Sequence, residues 1–278
     1  TGVTTTVANT LIVQAVARFP RVYCATFPEL PALEDARRVG FGAEVVPVTF
    51  DLSQAEAALP DVAYHLDTPG TWSALGQWFL ARAAAHGGHR VVLSGEGADE
   101  LFGGYARYRI LWWLQQMYDD DQLAAYAPSI TTVLGRDSTE TLARLLDRGD
   151  LAHTRSLVKR LGGASKSLPE RAARGEWYTT MQVLLRMADR MTAAHSIENR
   201  SPFLDHRVIK LAATLSPGFK ICERESKSVL RAVARRLGVP PEITEARTKR
   251  GLAVPWNAWR NVNSGSRGVW DRVDFTRS

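Results

Sequence analysis

Apolar and polar positions follow two periods over the first hundred residues. Val7 to Phe19 carries apolar residues at helical spacing and predicts a helix ending before Pro20. Arg21-Val22-Tyr23-Cys24-Ala25-Thr26-Phe27 is short and β-rich, which predicts a buried strand. Leu33 to Val39 predicts a short helix. Glu44 to Phe50 predicts a second strand, in which Pro47 marks an edge or an irregularity. Ser73 to Ala85 predicts a helix, and Val91-Val92-Leu93 a third strand that runs into a Gly-rich turn and another helix. Strands alternating with helices predict a parallel sheet with helices on its faces. Ligands of such sheets bind outside the carboxyl ends of the strands.

Beyond Tyr108 the strand signal fades. Val208, Leu211, Ala212 and Leu215 fall at helical spacing, as do Val229, Leu230, Val233, Ala234 and Leu237. The expectation is a parallel α/β part over residues 1–108 and a mainly helical part over 109–278. Gly162 to Lys166 reads as a loop, and Asn261 to Gly268 as a loose polar stretch.

Composition narrows the class. The 278 residues are 45% hydrophobic and 23% charged, as in an ordinary globular protein with ample material for a core. No apolar run reaches the roughly 18 residues of a membrane helix, and the N-terminus lacks the regions of a signal peptide. Two cysteines, Cys24 and Cys222, make no disulfide framework. A cytoplasmic home and no membrane partner are expected. The net charge of +6 raises the question of nucleic acid. The basic residues are scattered, however, and no zinc-finger, RNA-recognition or basic-zipper pattern is present. An anionic small ligand uses the same surplus more simply. The six histidines show no zinc spacing, so His65 and His195 read as packed side chains rather than ligands.

Three clusters carry candidate chemistry. The first is Ser94-Gly95-Glu96-Gly97-Ala98-Asp99-Glu100-Leu101-Phe102-Gly103-Gly104-Tyr105, which follows directly on the third strand. Its glycines allow a tight turn and close approach to a ligand. The helix behind it turns its first amides toward an anion. Its carboxylates suit a metal ion or acid–base work, although tight Gly-rich turns are common in themselves. The second cluster is Asp189-Arg190-Met191-Thr192-Ala193-Ala194-His195-Ser196-Ile197-Glu198-Asn199-Arg200-Ser201-Pro202-Phe203-Leu204-Asp205. By its residues alone it reads as a helix end tied by ion pairs of Glu198 with Arg200 and of Asp205. The third holds Lys227-Ser228-Val229-Leu230-Arg231, then Arg247-Thr248-Lys249-Arg250-Gly251-Leu252-Ala253-Val254-Pro255-Trp256. Its composition is that of a solvated basic loop.

Taken in this order, the three clusters resemble the C-terminal ATP-pyrophosphatase (synthetase) domain of the asparagine synthetase family, whose relatives include β-lactam synthetases and lasso-peptide cyclases. The resemblance spans nearly the whole chain. It implies a sheet of the adenine-nucleotide α-hydrolase type, ATP and Mg²⁺ as cofactors, and activation of a carboxylate as an acyl-adenylate. In asparagine synthetases that carboxylate is the aspartate side chain and the attacking nitrogen is ammonia. By resemblance, Glu96 is the acid/base at the ammonia attack, and Asp99 helps hold Mg²⁺. Ser94 and Gly95 border the adenosine, and Arg190 faces pyrophosphate. Glu198 and Asp205 are substrate-side or organising carboxylates. Lys249 stabilises charge that grows in the transition state, and Lys227 is structural or peripheral. A glutaminase domain or subunit is the implied partner, and a homodimer is among the assemblies the family allows.

The pattern is broken at the start. The family's pyrophosphate loop, Ser-Gly-Gly-x-Asp-Ser-Ser or close to it, aligns with Thr1-Gly2-Val3-Thr4-Thr5-Thr6. Gly2, Thr4, Thr5 and Thr6 are therefore the candidate pyrophosphate contacts. The loop aspartate, the strand before it and the N-terminal glutaminase domain have no counterpart in the sequence. Either the chain is a degenerate homologue, or residues of a mobile loop are missing from the sequence. The intact mass separates the two readings, since agreement with 30.7 kDa overturns the second. Three functions compete: an asparagine-forming ligase, a natural-product amidotransferase or macrocyclase on the same scaffold, and an inactive nucleotide-binding homologue.

Overall fold

The computed structural model describes residues 21–28, 33–39, 43–67, 73–105, 108–109, 111–112, 167–222, 225–245, 254–255 and 259. The helix expected over Val7–Phe19, residues Gly2, Thr4, Thr5, Thr6 and Lys249, and the loops at 162–166 and 261–268 lie outside the described residues. What is described is a mixed α/β protein with short parallel sheets and mostly helical content. It divides into two compact units, each discontinuous in sequence. One draws on segments 1–96, 183–205 and 230–278, the other on 97–182 and 206–229.

In the first unit β1 (Arg21–Ala25) and β2 (Glu44–Val48) pair in parallel, with Arg21 opposite Glu44 and Ala25 opposite Val48. Helix α1 (Leu33–Val39) lies between them in sequence, at the predicted bounds. Pro47 stands opposite Cys24 and is exposed, a place where a residue without an N–H is tolerated. Arg21 Nε donates to Glu44 Oε2 at 2.7 Å across the strand starts, an exposed pair of small energetic weight.

Helix α2 (Leu52–Leu66) was not legible in the sequence, because Pro60 interrupts its pattern. Its start is specified locally by a capping box. The Gln54 amide donates to Asp51 Oδ1 at 2.8 Å, and the Asp51 amide donates to Gln54 Oε1 at 3.0 Å. Ala55, Ala58, Leu59, Val62, Ala63 and Leu66 form its buried stripe. The chain leaves the helix through Asp67 at φ 59°, whose amide donates to the Ala63 carbonyl.

Helix α3 (Ser73–His86) packs against this stripe through Ala74, Leu75, Trp78 and Phe79. Phe79 stacks on Phe50 at 4.0 Å between centroids, and Phe27 meets Phe50 edge-on at 4.9 Å. The Arg82 guanidinium lies 4.4 Å over the Phe79 ring. Met187 and Met191 close the core from α6, described below as Thr180–Ala193.

The main departure from expectation is in the second half. Strand β3 (Val91–Leu93) pairs in parallel with β4 (Glu198–Arg200), which lies in the region expected to be helical. Glu, Asn and Arg have little β preference and make no apolar alternation, so no local signal marks this strand. It forms because β3 offers a free edge, and the register Val91–Glu198, Val92–Asn199, Leu93–Arg200 satisfies both backbones.

The second unit contains the short helix α4 (Ala98–Phe102), α5 (Leu168–Tyr178), α7 (His206–Thr214) and α8 (Pro217–Lys220). Phe102, Tyr108, Met181 and Ile221 are among its buried apolar side chains. Gly103, at φ 70°, ends α4. A β-carbon there would stand 2.5 Å from Ile221 Cγ1, so close packing as well as backbone angle excludes other residues. Helix α6 (Thr180–Ala193) and helix α9 (Ser228–Arg236) each run from this unit's segments into the first unit's, and α10 (Pro241–Thr244) follows. The apolar spacing read in α7 and α9 is real but only partly used. Ala212, Leu230 and Ala234 are buried, whereas Leu211 is 60% exposed.

His195 is packed, as expected, and so is His65. Both flank Trp78, with centroids 4.3 and 5.7 Å away. Burial first, then Arg82, His65 and His86, hold His195 below its ordinary value of 6.5, with Asp61 opposing weakly. The unfolded chain therefore binds this proton more readily than the folded one. Stability is complete above about pH 6.5 and falls as the pH drops below it. Urea midpoints measured between pH 7.5 and 5 are expected to decline in the wild type and to decline less in His195→Gln.

Candidate active site

The parallel β3–β4 ladder brings two of the sequence clusters together. After Leu93 and Arg200 both chains leave the sheet at the same end. The Ser94 amide donates to the Arg200 carbonyl at 2.9 Å, and the Ser94 and Ser201 hydroxyls lie 2.9 Å apart. Residues 107 apart in sequence thus share one strand end, the place where parallel sheets expose their ligand sites. Gly95 is exposed there and Glu96 is half-buried. On the other strand Ser201 leads into a single 3₁₀ turn, Pro202–Leu204, anchored by buried Phe203. Asp205 follows it, half-buried, with its amide donating to Pro202 O at 3.2 Å.

Glu198 and Arg200 project from the same side of β4, two residues apart. Arg200 Nε donates to Glu198 Oε1 at 2.7 Å and Nη2 donates to Oε2 at 3.2 Å. This is the ion pair that the residues alone suggested, held on a strand rather than at a helix end. The hydrogen bond and then the charge of Arg200 hold the exposed Glu198 carboxyl below the usual range, and Glu198 raises Arg200 in turn. Asn199 turns to the opposite side of β4, where its Oδ1 is buried. Arg190 lies exposed in the last turn of α6, where its positive charge suits the helix C-terminus. A recess of about 550 Å³ lies over β1–β2, and its lining, which includes Arg21, Tyr23, Glu44, His86 and Gly87, holds none of the residues of this strand end.

Asp99 is organised within the second unit. It sits in α4, and its Oδ1 is 3.0 Å from Lys227 Nζ. Lys227 is 5% exposed and has φ 56°, a left-handed backbone that lysine adopts at a cost. Gly104 closes the arrangement. A β-carbon on it would lie 1.9 Å from Asp99 Oδ1 and 2.2 Å from Lys227 Cε. Glu100, buried beside it in sequence, accepts from the Tyr105 hydroxyl at 2.6 Å. Tyr108 in turn donates to Glu176 on α5.

The asparagine synthase family model matches residues 13–269 of this chain. The chain belongs to the asparagine synthase family. Asparagine synthetase [glutamine-hydrolyzing] 1 of Bacillus subtilis is 30% identical over 235 residues, covering 72% of this chain and 36% of that protein. Asparagine synthetase [glutamine-hydrolyzing] 1 of Saccharomyces cerevisiae is 29% identical over 222 residues, 77% of this chain and 30% of that protein. The amidase chyE of Penicillium rubens is 24% identical over 263 residues, 76% of this chain and 39% of that protein. The chain thus spans well under half the length of these relatives.

Within this asparagine synthase family member, Ser94, Gly95, Glu96, Glu198 and Asp205 fall in one unit and Asp99 in the other. From the sequence Lys227 had only a structural or peripheral place, and neither Gly104 nor Ser201 had an assigned role within its cluster. Nothing local marks Lys227, because its burial and its carboxylate partner are both long-range. Gly104 is part of the signature, but its reason is a neighbour more than a hundred positions later. Gly104→Ala is expected to break the Asp99–Lys227 pair and cost about 3 kcal/mol of stability in urea unfolding. Gly175→Ala, inside α5 with open space around it, is expected to gain about 0.5 kcal/mol in the same measurement.

Proposed function

We propose that this chain is the ATP-dependent amide-forming part of an asparagine synthetase, acting on the aspartate side chain with ammonia as the nitrogen source. The observation that carries the reading is the β3–β4 strand end, where Ser94, at the head of the Gly-rich turn, meets Arg200 and Ser201 of the second cluster. The family membership and the relatives' names support it. The sheet is read as the adenine-nucleotide α-hydrolase type, with adenosine over Ser94 and Gly95.

In the first step a carboxylate oxygen attacks the α-phosphorus of ATP. The bond to pyrophosphate breaks and an acyl-adenylate forms. Arg190 and Lys249 hold the charge that collects on the departing pyrophosphate, together with the amides and hydroxyls of Gly2 and Thr4 to Thr6. In the second step the ammonia nitrogen attacks the acyl carbon, the bond to AMP breaks, and Glu96 takes the proton from nitrogen. On this reading an approaching substrate meets Glu198 as half of a carboxylate–guanidinium pair with Arg200, and Asp205 is a second substrate-side or organising carboxylate.

Mg²⁺ bound here would neutralise the pyrophosphate charge. The donor chemistry fits it. Asp99 is a half-buried hard oxygen ligand. Magnesium is commonly held by one or two carboxylates together with substrate phosphates. A glutaminase domain or subunit is the proposed ammonia supplier.

The match to the Penicillium amidase motivates a second reading, amide chemistry on a natural-product acid over the same scaffold. Exchange of labelled pyrophosphate into ATP separates the readings. Exchange with aspartate is expected, whereas exchange only with another acid supports the second reading. No exchange with an intact chain indicates an inactive homologue. Glu96→Gln is expected to lower amide formation roughly 10²-fold or more while leaving exchange in place. Lys249→Ala is expected to lower exchange itself by about 10²-fold. Unchanged turnover in both variants would sink the site assignment.

A further inference from the structure

Three features of the second unit converge on one contact. Lys227 Nζ lies 3.0 Å from Asp99 Oδ1, with the two side chains only 7% and 17% exposed. Lys227 takes a left-handed backbone, φ 56°, to put its side chain there. Gly104 lacks the one β-carbon that would displace both groups, at 1.9 and 2.2 Å. A buried ion pair returns little net stability for its desolvation. So much local arrangement around one contact therefore points to position rather than stability.

We propose that Lys227 is a positioning residue that occupies Asp99 as a resident cation and must give way before a divalent metal can bind there. The proposal rests on the reading of Asp99 as a metal-side carboxylate. A hard divalent ion sits about 2.1 Å from a carboxylate oxygen. An ammonium at 3.0 Å from that same oxygen would then face the ion at close range in a poorly solvated place. The metal alone must meet that repulsion, whereas a metal arriving with the phosphates of a nucleotide brings the compensating negative charge. Lys227 thus makes metal binding depend on the nucleotide, and it keeps the Asp99 carboxylate in one place meanwhile.

Mn²⁺ binding to the protein, followed by the electron paramagnetic resonance of the free ion, tests this with and without ATP. Lys227→Met is expected to bind Mn²⁺ alone roughly tenfold more tightly than the wild type. Lys227→Arg is expected to behave as the wild type. Adding Asp99→Asn to Lys227→Met is expected to abolish the gain. Unchanged or weaker Mn²⁺ binding by Lys227→Met, with Asp99→Asn still weakening Mn²⁺–ATP binding, overturns the proposal and leaves the metal reading standing. Mn²⁺–ATP binding unaffected by Asp99→Asn removes both. Should Lys227→Met fail to fold, the wild type carries the same test through amine acylation and mass spectrometry. Labelling of Lys227 is expected to rise when Mn²⁺ and ATP are added together and not with Mn²⁺ alone. Labelling that stays flat under both conditions overturns the proposal.

Discussion

Three backbone pairings between β3 and β4 are what the candidate site depends on. Val91, Val92 and Leu93 form a strand by their own composition, but a strand without a neighbour leaves its amides and carbonyls unpaired. Glu198 to Arg200 supply the partner. Because the ladder is parallel, both chains exit at the same end, and the Gly-rich turn is set against Ser201 and the approach to Asp205. The packing below makes this possible. Met187 and Met191, on the helix just before β4, insert into the core built by α2, α3 and the Phe27–Phe50–Phe79 aromatic group. Core burial thus delivers the β4 segment to the edge of β3.

The charged groups divide into two kinds. Glu198 and Arg200 form an exposed pair whose value is geometric, a bidentate surface at a strand end. Asp99 and Lys227 form a buried pair whose members are held by backbone conformation and by the absence of a side chain at Gly104. In the low-dielectric interior such a contact is sensitive to any change of charge nearby. That sensitivity is what suits it to the proposed response to a metal–nucleotide ligand.

Family membership and domain length fit together in one respect. The match to the asparagine synthase family covers residues 13–269, while the relatives are much longer than the segments they share with this chain. The shared part is therefore the portion in which carboxylate activation is proposed. The glutamine hydrolysis in the relatives' names belongs to those proteins and enters here only through the proposed ammonia supplier.

Much of the first unit could be read from the chain. β1, α1, β2, α3 and β3 were visible as periods of apolar residues, because each buries a face whose spacing follows its own backbone geometry. The signature from Ser94 to Tyr105 was visible as a string, since its glycines and carboxylates are local requirements of a turn. α2 was hidden by Pro60, although its Asp51–Gln54 capping box is a local signal that finds it. β4 could not be found this way, because Glu-Asn-Arg becomes a strand only when β3 lies alongside it. Lys227 could not be recognised either. A lysine before a helix is ordinary until the fold buries it against Asp99 and over Gly104. Local periodicity records the faces that each element buries, but pairings between distant residues leave no periodic trace. The elements could therefore be predicted from the chain, while tertiary packing alone decided which charged groups meet.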